Sequence, residues 1–292
     1  MVEARSQSHL VWRRFRRHRL AVVGLAMIGW MVALAAAAPW LAPYPRDEIV
    51  LADVNMPPGR VHLLGADALG RDVLTRLMYA ARISLVIGLV ATVGSELLGI
   101  LVGAAAGYGG GWLDAFLMRL LDLMLTIPLL PVLLVLARLL AAGEGVAPNL
   151  PGPLVNLCGR LLLISPATAT QAIWLMGVLI LLGWMQPARL VRGTVLSLRV
   201  SPWVEAAQAV GAKGRRIVVH HLIPHALSPI LVDATLAMGN FIVWEAALGF
   251  LGFGLRSPVP TWGNMLAEAQ EDVWLHPWKA FYPGFCIFLT TL

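Results

Sequence analysis

The stretch SPWVEAAQAVGAKGRRIVVHHLIPHALSP, residues 201–229, carries three basic residues, three histidines, one glutamate and two glycines, and it lies between two strongly hydrophobic parts of the chain. Ser201 has the side chain of a helix N-cap, and Pro202 suits the first helical position, where a missing N–H costs nothing. Glu205 falls in the first turn, where the helix dipole favours a carboxylate. Ala206, Ala207 and Ala209 favour helix, and Gly211 can take the left-handed conformation that ends one. A basic turn or two follows from Arg215 to His221, until Pro224 forces a new helical start. The pattern predicts a short helix, a glycine turn and a basic helix entering the next apolar run. On pattern alone two readings stand: a solvated loop lying on anionic headgroups, and a small helix inserted into a cleft on a partner.

The surroundings decide the solvent. Of the 292 residues, 59% are hydrophobic and 13% charged, against about a quarter charged in soluble domains, and the mean hydropathy is +0.76. Such a chain is solvated by lipid. The net charge of +6 is no nucleic-acid signal, because the basic residues are confined to loops. Arg5, Arg13, Arg14, Arg16, Arg17 and Arg19 precede the first apolar run, and Arg189, Arg192, Arg199, Lys213, Arg215 and Arg216 lie in 188–225. Basic residues accumulate on cytoplasmic loops, so both segments read as inside and an even number of spans separates them.

The apolar runs supply those spans. Residues 20–42 hold the first; a cleaved signal peptide has a shorter apolar region of about 7–15 residues. Ile83 to Gly107 is the second, with Gly99, Gly103 and Gly107 at the four-residue spacing that lets another helix backbone come close. A third, about Phe116 to Leu140, contains Pro128 and Pro131 and is expected to kink. The fourth lies within Leu161 to Ala188, from about Thr168, and the fifth covers about Leu227 to Phe253. A sixth begins near Val273 and is expected to be incomplete at 292, with a re-entrant segment as the competing reading, because roughly 20 residues are needed to cross. The expected organisation is a cytoplasmic basic N-terminus (1–19), a first transmembrane helix (20–42), an extracytoplasmic loop (43–82) and a core domain (83–292) with a cytoplasmic loop at 188–225. Residues 141–160 and 254–272 are also read as outer. The fold class is an all-α polytopic membrane protein of about six spans.

Few residues carry chemistry. Cys158 and Cys286 stand far apart in apolar surroundings and indicate neither disulfide nor metal. His220 and His221 are adjacent and diverge by about 100° on a helix, and with His225 they lack a carboxylate or thiol to complete a metal site. No nucleophile with a positioned base and no phosphate-binding glycine loop is present, so the chain reads as a non-enzyme that binds no nucleotide. Glu96 falls in the second span and Asp233 early in the fifth; charged groups at membrane depth normally face a cavity or a partner. Glu96 is a candidate for the substrate pathway, where it could meet a peptide's amino terminus, or a carboxyl paired between helices. Asp233 is a weaker pathway candidate, close to the inner surface. Asp114, Arg119 and Asp122 are expected to pair at a helix entrance, Arg119 and Asp122 being three apart. Trp203, like Trp40, Tyr44 and Trp112, reads as an interfacial anchor.

The quoted stretch resembles the EAA loop of ABC importer permeases. Glu205, Ala206, Ala207, Gly211 and Pro224 match it, Ile223 stands where leucine is usual, and His221 is the residue common in the oligopeptide and dipeptide branch. HLLGADALGRDVLTRLMYAARISL (62–85), with Gly65, Asp67, Gly70, Arg71, Asp72 and Arg76, is similar to the outer-loop signature of that branch. GYGGGWLDAFLMRLLDLMLTIPLLPV (107–132) and EAALGFLGFGLRSPVPTWGNMLAEA (245–269) resemble its helix links; Glu245 belongs to the likeness without an evident task. The likeness is to the second permease of the pair, the C-type subunit, and the longer, proline-rich 141–170 departs from it.

The resemblance implies a type I importer permease of a bacterial cytoplasmic membrane that carries dipeptides or oligopeptides. It implies a heterodimer with a second permease, two cytoplasmic ATPases that use the ATP, and an extracytoplasmic substrate-binding protein. The residues it assigns to ATPase coupling are Glu205, Ala206, Ala207, Gly211, Arg215, His221 and Pro224. The alternative from another class is a secondary transporter driven by an ion gradient, though no inverted repeat is seen.

Overall fold

The computed structural model describes residues 19–142 and 150–292. The expectations for residues 1–18 and for 143–149 lie outside the described residues. Among the described residues the chain is helical, with an isolated bridge between Ala66 and Asp72 as its one extended pairing. Among those residues four helical runs are long and apolar enough to cross a membrane: Ala21–Leu41, Val73–Gly109, Pro166–Gly183 and Gly214–Phe250. A fifth arises if the bent pair beginning at Gly111–Thr126 is one span.

The helices are α1 (Arg19–Leu41), α2 (Val73–Gly109), α3 (Gly111–Thr126), α4 (Leu129–Ala142), α5 (Gly152–Leu162), α6 (Pro166–Gly183), α7 (Met185–Arg199), α8 (Pro202–Ala209), α9 (Gly214–Ile217), α10 (Ile223–Phe250), α11 (Trp262–Ala269) and α12 (Trp278–Thr291). Three of these differ from the sequence reading. α2 begins ten residues earlier, inside the stretch taken as loop. Asp72 caps it by accepting the Thr75 N–H at 2.7 Å, and the arginines that made the stretch look aqueous are spent elsewhere: Arg76 pairs with Glu268 at 3.0 Å and Arg82 reaches the Ala36 carbonyl. The third expected span is two helices that turn by 90° between Thr126 and Leu130; Pro128 lacks the N–H that would continue α3 and biases Ile127 to the extended backbone it adopts. α12 begins at Trp278, five residues later than expected, and holds 14 residues, where roughly 20 cross a bilayer. The expected outer segment 141–160 includes the start of the amphipathic α5, and 254–272 contains α11.

Pro224 does not restart the chain either. A π-turn at Val218–Leu222 joins α9 to α10, and the helical run from Gly214 to Phe250 is 37 residues long. The wider turn re-registers the backbone hydrogen bonds just before the proline, whose ring would otherwise collide with the preceding turn and whose missing N–H would leave a carbonyl unbonded.

The chain packs as two compact units divided between Ile83 and Ser84. The first unit comprises the described residues up to Ile83 and Pro260–Thr290. Its loop 42–72 is held by side chains at the start of α2. Asp67 accepts the N–H groups of Leu69 at 2.8 Å and Arg71 at 3.0 Å, and its second oxygen meets Arg71 Nε at 2.6 Å. Arg71 and Arg76 both reach Glu268 of α11. Gly70 has a positive φ, and a Cβ there would lie 1.9 Å from the Val50 carbonyl oxygen, so the tight turn admits glycine alone. His62, 2% exposed, lies between two carboxylates, 2.9 Å from Asp72 and 3.2 Å from Asp53.

The second unit, Ser84–Val259, is organised along the glycines of α2. A Cβ at Gly99 would stand 2.7 Å from the Pro187 ring, at Gly103 2.4 Å from the Ala188 carbonyl oxygen and at Gly107 3.0 Å from the Arg192 carbonyl oxygen. α7 therefore runs against the backbone of α2 over three consecutive turns, the close approach that the four-residue spacing predicted. Deeper in the same unit Glu245, fully buried on α10, accepts the Ser84 hydroxyl at 2.8 Å.

Candidate functional site

The segment 201–229 folds as a projecting helix on a fixed base. Ser201 occupies the N-cap backbone position of α8, yet its hydroxyl turns back to the Leu198 carbonyl and makes no cap bond. Pro202 opens the helix and Glu205 lies in its first turn. Gly211, at φ +84°, ends it. Its N–H donates to the Gln208 carbonyl at 2.9 Å and the Ala212 N–H to the Ala207 carbonyl at 3.0 Å, the paired bonds of a Schellman termination.

One side of this helix is buried. Val204 is fully enclosed with Ala104, Val191, Val195, Ile217, Leu222, Ala226 and Ile230, side chains drawn from α2, α7, α9, the turn that follows α9, and α10. The other side is free: Glu205, Ala206, Gln208, Ala209 and Val210 are exposed, Val210 at 85%. Of the remaining residues of the expected set, Gly211, Arg215 and Pro224 are exposed and Ala207 and His221 half-buried. The structure brings all seven to one end of the second unit, with α8 fixed by Val204.

Three supports were not legible in the sequence. Gly214 abuts Tyr108, where a Cβ would lie 2.8 Å from the ring, so α9 sits on the end of α2. Arg199 approaches the carbonyls of Gly107 and Tyr108 at 3.4 Å, beside the C-terminal end of the same helix. Trp203, read as a membrane anchor, stacks instead on His225 with ring centroids 5.0 Å apart. His225 Nδ1 faces the His221 carbonyl at 2.7 Å, so that nitrogen carries a proton. The expected pairing of Arg119 with Asp122 is replaced by bonds to α7: Arg192 forks onto Asp114, with Nη2 at 2.7 Å, and Arg189 bonds Asp122. α3 is thus tied to the helix that leads into α8.

The two acidic pathway candidates come together away from this end. Glu96 of α2 is 5% exposed, and Asp233 of α10 lies within interaction reach of it.

The profile of the binding-protein-dependent transport system inner membrane component matches residues 99–292. The chain belongs to this family. The N-terminal TM domain of oligopeptide transport permease C matches residues 6–58. Among similar proteins, a dipeptide transport system permease protein of Alkalihalophilus pseudofirmus is 36% identical over 96% of this chain and 83% of its own length. An oligopeptide transport system permease protein of Bacillus subtilis is 33% identical over 95% and 82%. A glutathione transport system permease protein of Pectobacterium atrosepticum is 34% identical over 96% and 84%. The binding-protein-dependent inner membrane component described here is accordingly an ABC importer permease, a multi-pass protein of the bacterial inner membrane and a transport subunit. The ion-gradient alternative receives no support.

Proposed function

We propose that this permease carries peptides and that α8 is the part through which ATPase motion reaches its spans. The observation that carries the coupling reading is the combination of an exposed Glu205 and Ala206 face with a fully buried Val204 on the same two turns. A helix held this way can be gripped from outside and cannot slip on its base. The peptide reading rests on the relatives, whose names specify dipeptide, oligopeptide and glutathione transport.

In this reading the chain pairs with a second permease, two cytoplasmic ATPases bind ATP and receive one coupling helix from each permease, and an extracytoplasmic binding protein delivers the substrate. The chain itself binds no cofactor. Glu205, Ala206, Ala207, Gly211, Arg215, His221 and Pro224 form or frame the coupling helix, and Glu96 and Asp233 line the route. Movement of α8 passes into α10 without a break, because both pack in one cluster and the run from Gly214 is continuous.

The test is a crosslink and a transport assay on the assembled importer. Cysteine at Ala206 should crosslink to an ATPase subunit in an ATP-dependent manner, and Glu205→Lys should abolish dipeptide uptake while insertion and assembly persist. Normal uptake by Glu205→Lys, or a residue 206 reachable only from the external side, overturns the reading.

A further inference from the structure

Buried polar atoms in folded proteins are almost always partnered, and each exception calls for an explanation. Glu96 is such an exception. It sits well inside a 37-residue apolar run, 5% exposed, and no backbone or hydroxyl group bonds either carboxylate oxygen. The hydroxyls on the same turn of α2 are committed: Thr92 donates to the Gly88 carbonyl at 2.7 Å and Ser95 to the Ala91 carbonyl at 2.7 Å. Glu245 in the same unit shows the contrast, since Ser84 supplies it a donor.

The group facing Glu96 is a second carboxylate. α2 and α10 pack with Gly88 against Ile242 and the Met238 carbonyl, and in antiparallel helices two turns further along α2 correspond to two turns back along α10, which sets Asp233 opposite Glu96. The two side chains interact, and Asp233 is the half-exposed member, with Glu96 behind it. Apart from a proton that the two carboxyl groups can share, the place holds acceptors without donors. A primary ammonium offers three N–H donors and a positive charge, and charge-assisted bonds to carboxylates are the strong kind.

We propose that Glu96 and Asp233 form a shared carboxylate site for the primary ammonium group of the translocated substrate. The inference rests on the peptide-import reading and adds what the pathway recognises, the free amino terminus. Asp233 meets the ammonium first, and Glu96 holds it at membrane depth.

The experiment uses the complete importer in proteoliposomes, with its binding protein saturated by a dipeptide or by the same dipeptide N-acetylated. In Glu96→Gln and Asp233→Asn, the maximal uptake rate of the free-amino peptide falls roughly tenfold, the scale of one charge-assisted hydrogen bond, while the acetylated peptide moves at the wild-type rate. Equal effects on both peptides, or none on either, overturn the proposal and leave the pair a structural one. Because the binding protein can itself reject the capped peptide, a second readout is the labelling of Glu96 by dicyclohexylcarbodiimide. Free-amino dipeptide protects Glu96 during turnover and acetylated dipeptide does not; equal protection, or none, refutes the site. An importer that moves neither peptide, yet whose Glu96 is protected by the amine alone, retains the site and loses the peptide-import reading.

Discussion

A Cβ on Gly103 would lie 2.4 Å from the carbonyl oxygen of Ala188, so α2 and α7 meet backbone to backbone with no room for a side chain. Neither helix can yield to a new methyl group, because the obstructing atom belongs to the main chain. Gly103→Leu is expected to destabilise the protein by about 3 kcal/mol or more and to remove the folded species from detergent chromatography. Gly177→Ala, where nothing lies within 4 Å, should be neutral or stabilising by up to about 1 kcal/mol. Equal behaviour of the two variants in thermal unfolding contradicts the packing described.

The coupling helix ends on a left-handed residue. Gly211→Pro imposes a φ near −65° where +84° is required and deletes the N–H that reaches Gln208. Uptake and ATP-driven coupling should be lost with insertion unchanged. Gly211→Ala should cost about 1 kcal/mol and leave partial transport; full activity in the proline variant would show that this termination is dispensable.

Arg192 and Asp114 form a forked pair that ties α3 to α7. The pair is partly solvated, so its worth is about 1 kcal/mol. Arg192→Asp and Asp114→Arg should each lower the melting temperature of the purified protein, and the double exchange should recover most of the loss. A strictly additive double variant means that the two side chains do not act together.

His62 predicts a pH dependence. Burial pushes its imidazole down, but the hydrogen bonds to Asp72 and Asp53 and the charges of both carboxylates outweigh it, and the group is raised above its ordinary 6.5. Both ring nitrogens face acceptors, which requires the doubly protonated ring. A raised folded value means that the stabilisation is fully present below about 6.5 and is lost as pH climbs through the folded value. Thermal stability of the wild type should therefore fall as pH climbs above about 6.5, and His62→Gln should be less stable at pH 6 and lose that slope. A variant with the wild-type slope would assign the titration elsewhere.

How much of this was legible follows from the range of each interaction. Gly211 and Pro202 were readable because backbone preference is local to a residue and its neighbours. The seam of Gly99, Gly103 and Gly107 was readable as a spacing, although the sequence did not say that α7 fills it. The early start of α2 was missed because Arg76 and Arg82 look aqueous until Glu268 and the Ala36 carbonyl are seen beside them. The partner of Asp114 was missed because it lies 78 positions away, whereas the eye pairs charges three or four apart. Trp203 was misassigned for the same reason: its stacking partner belongs to another helix. Glu96 and Asp233 were both noticed for their depth, and only the fold brought them together.

The run from Gly214 to Phe250 is a rod about 55 Å long at 1.5 Å per residue, with its pivot point near one tip. A lever of that kind magnifies: a tilt of a few degrees at the short arm sweeps the far tip through several ångströms, and the single loosened turn at Val218–Leu222 is where such a lever has its give.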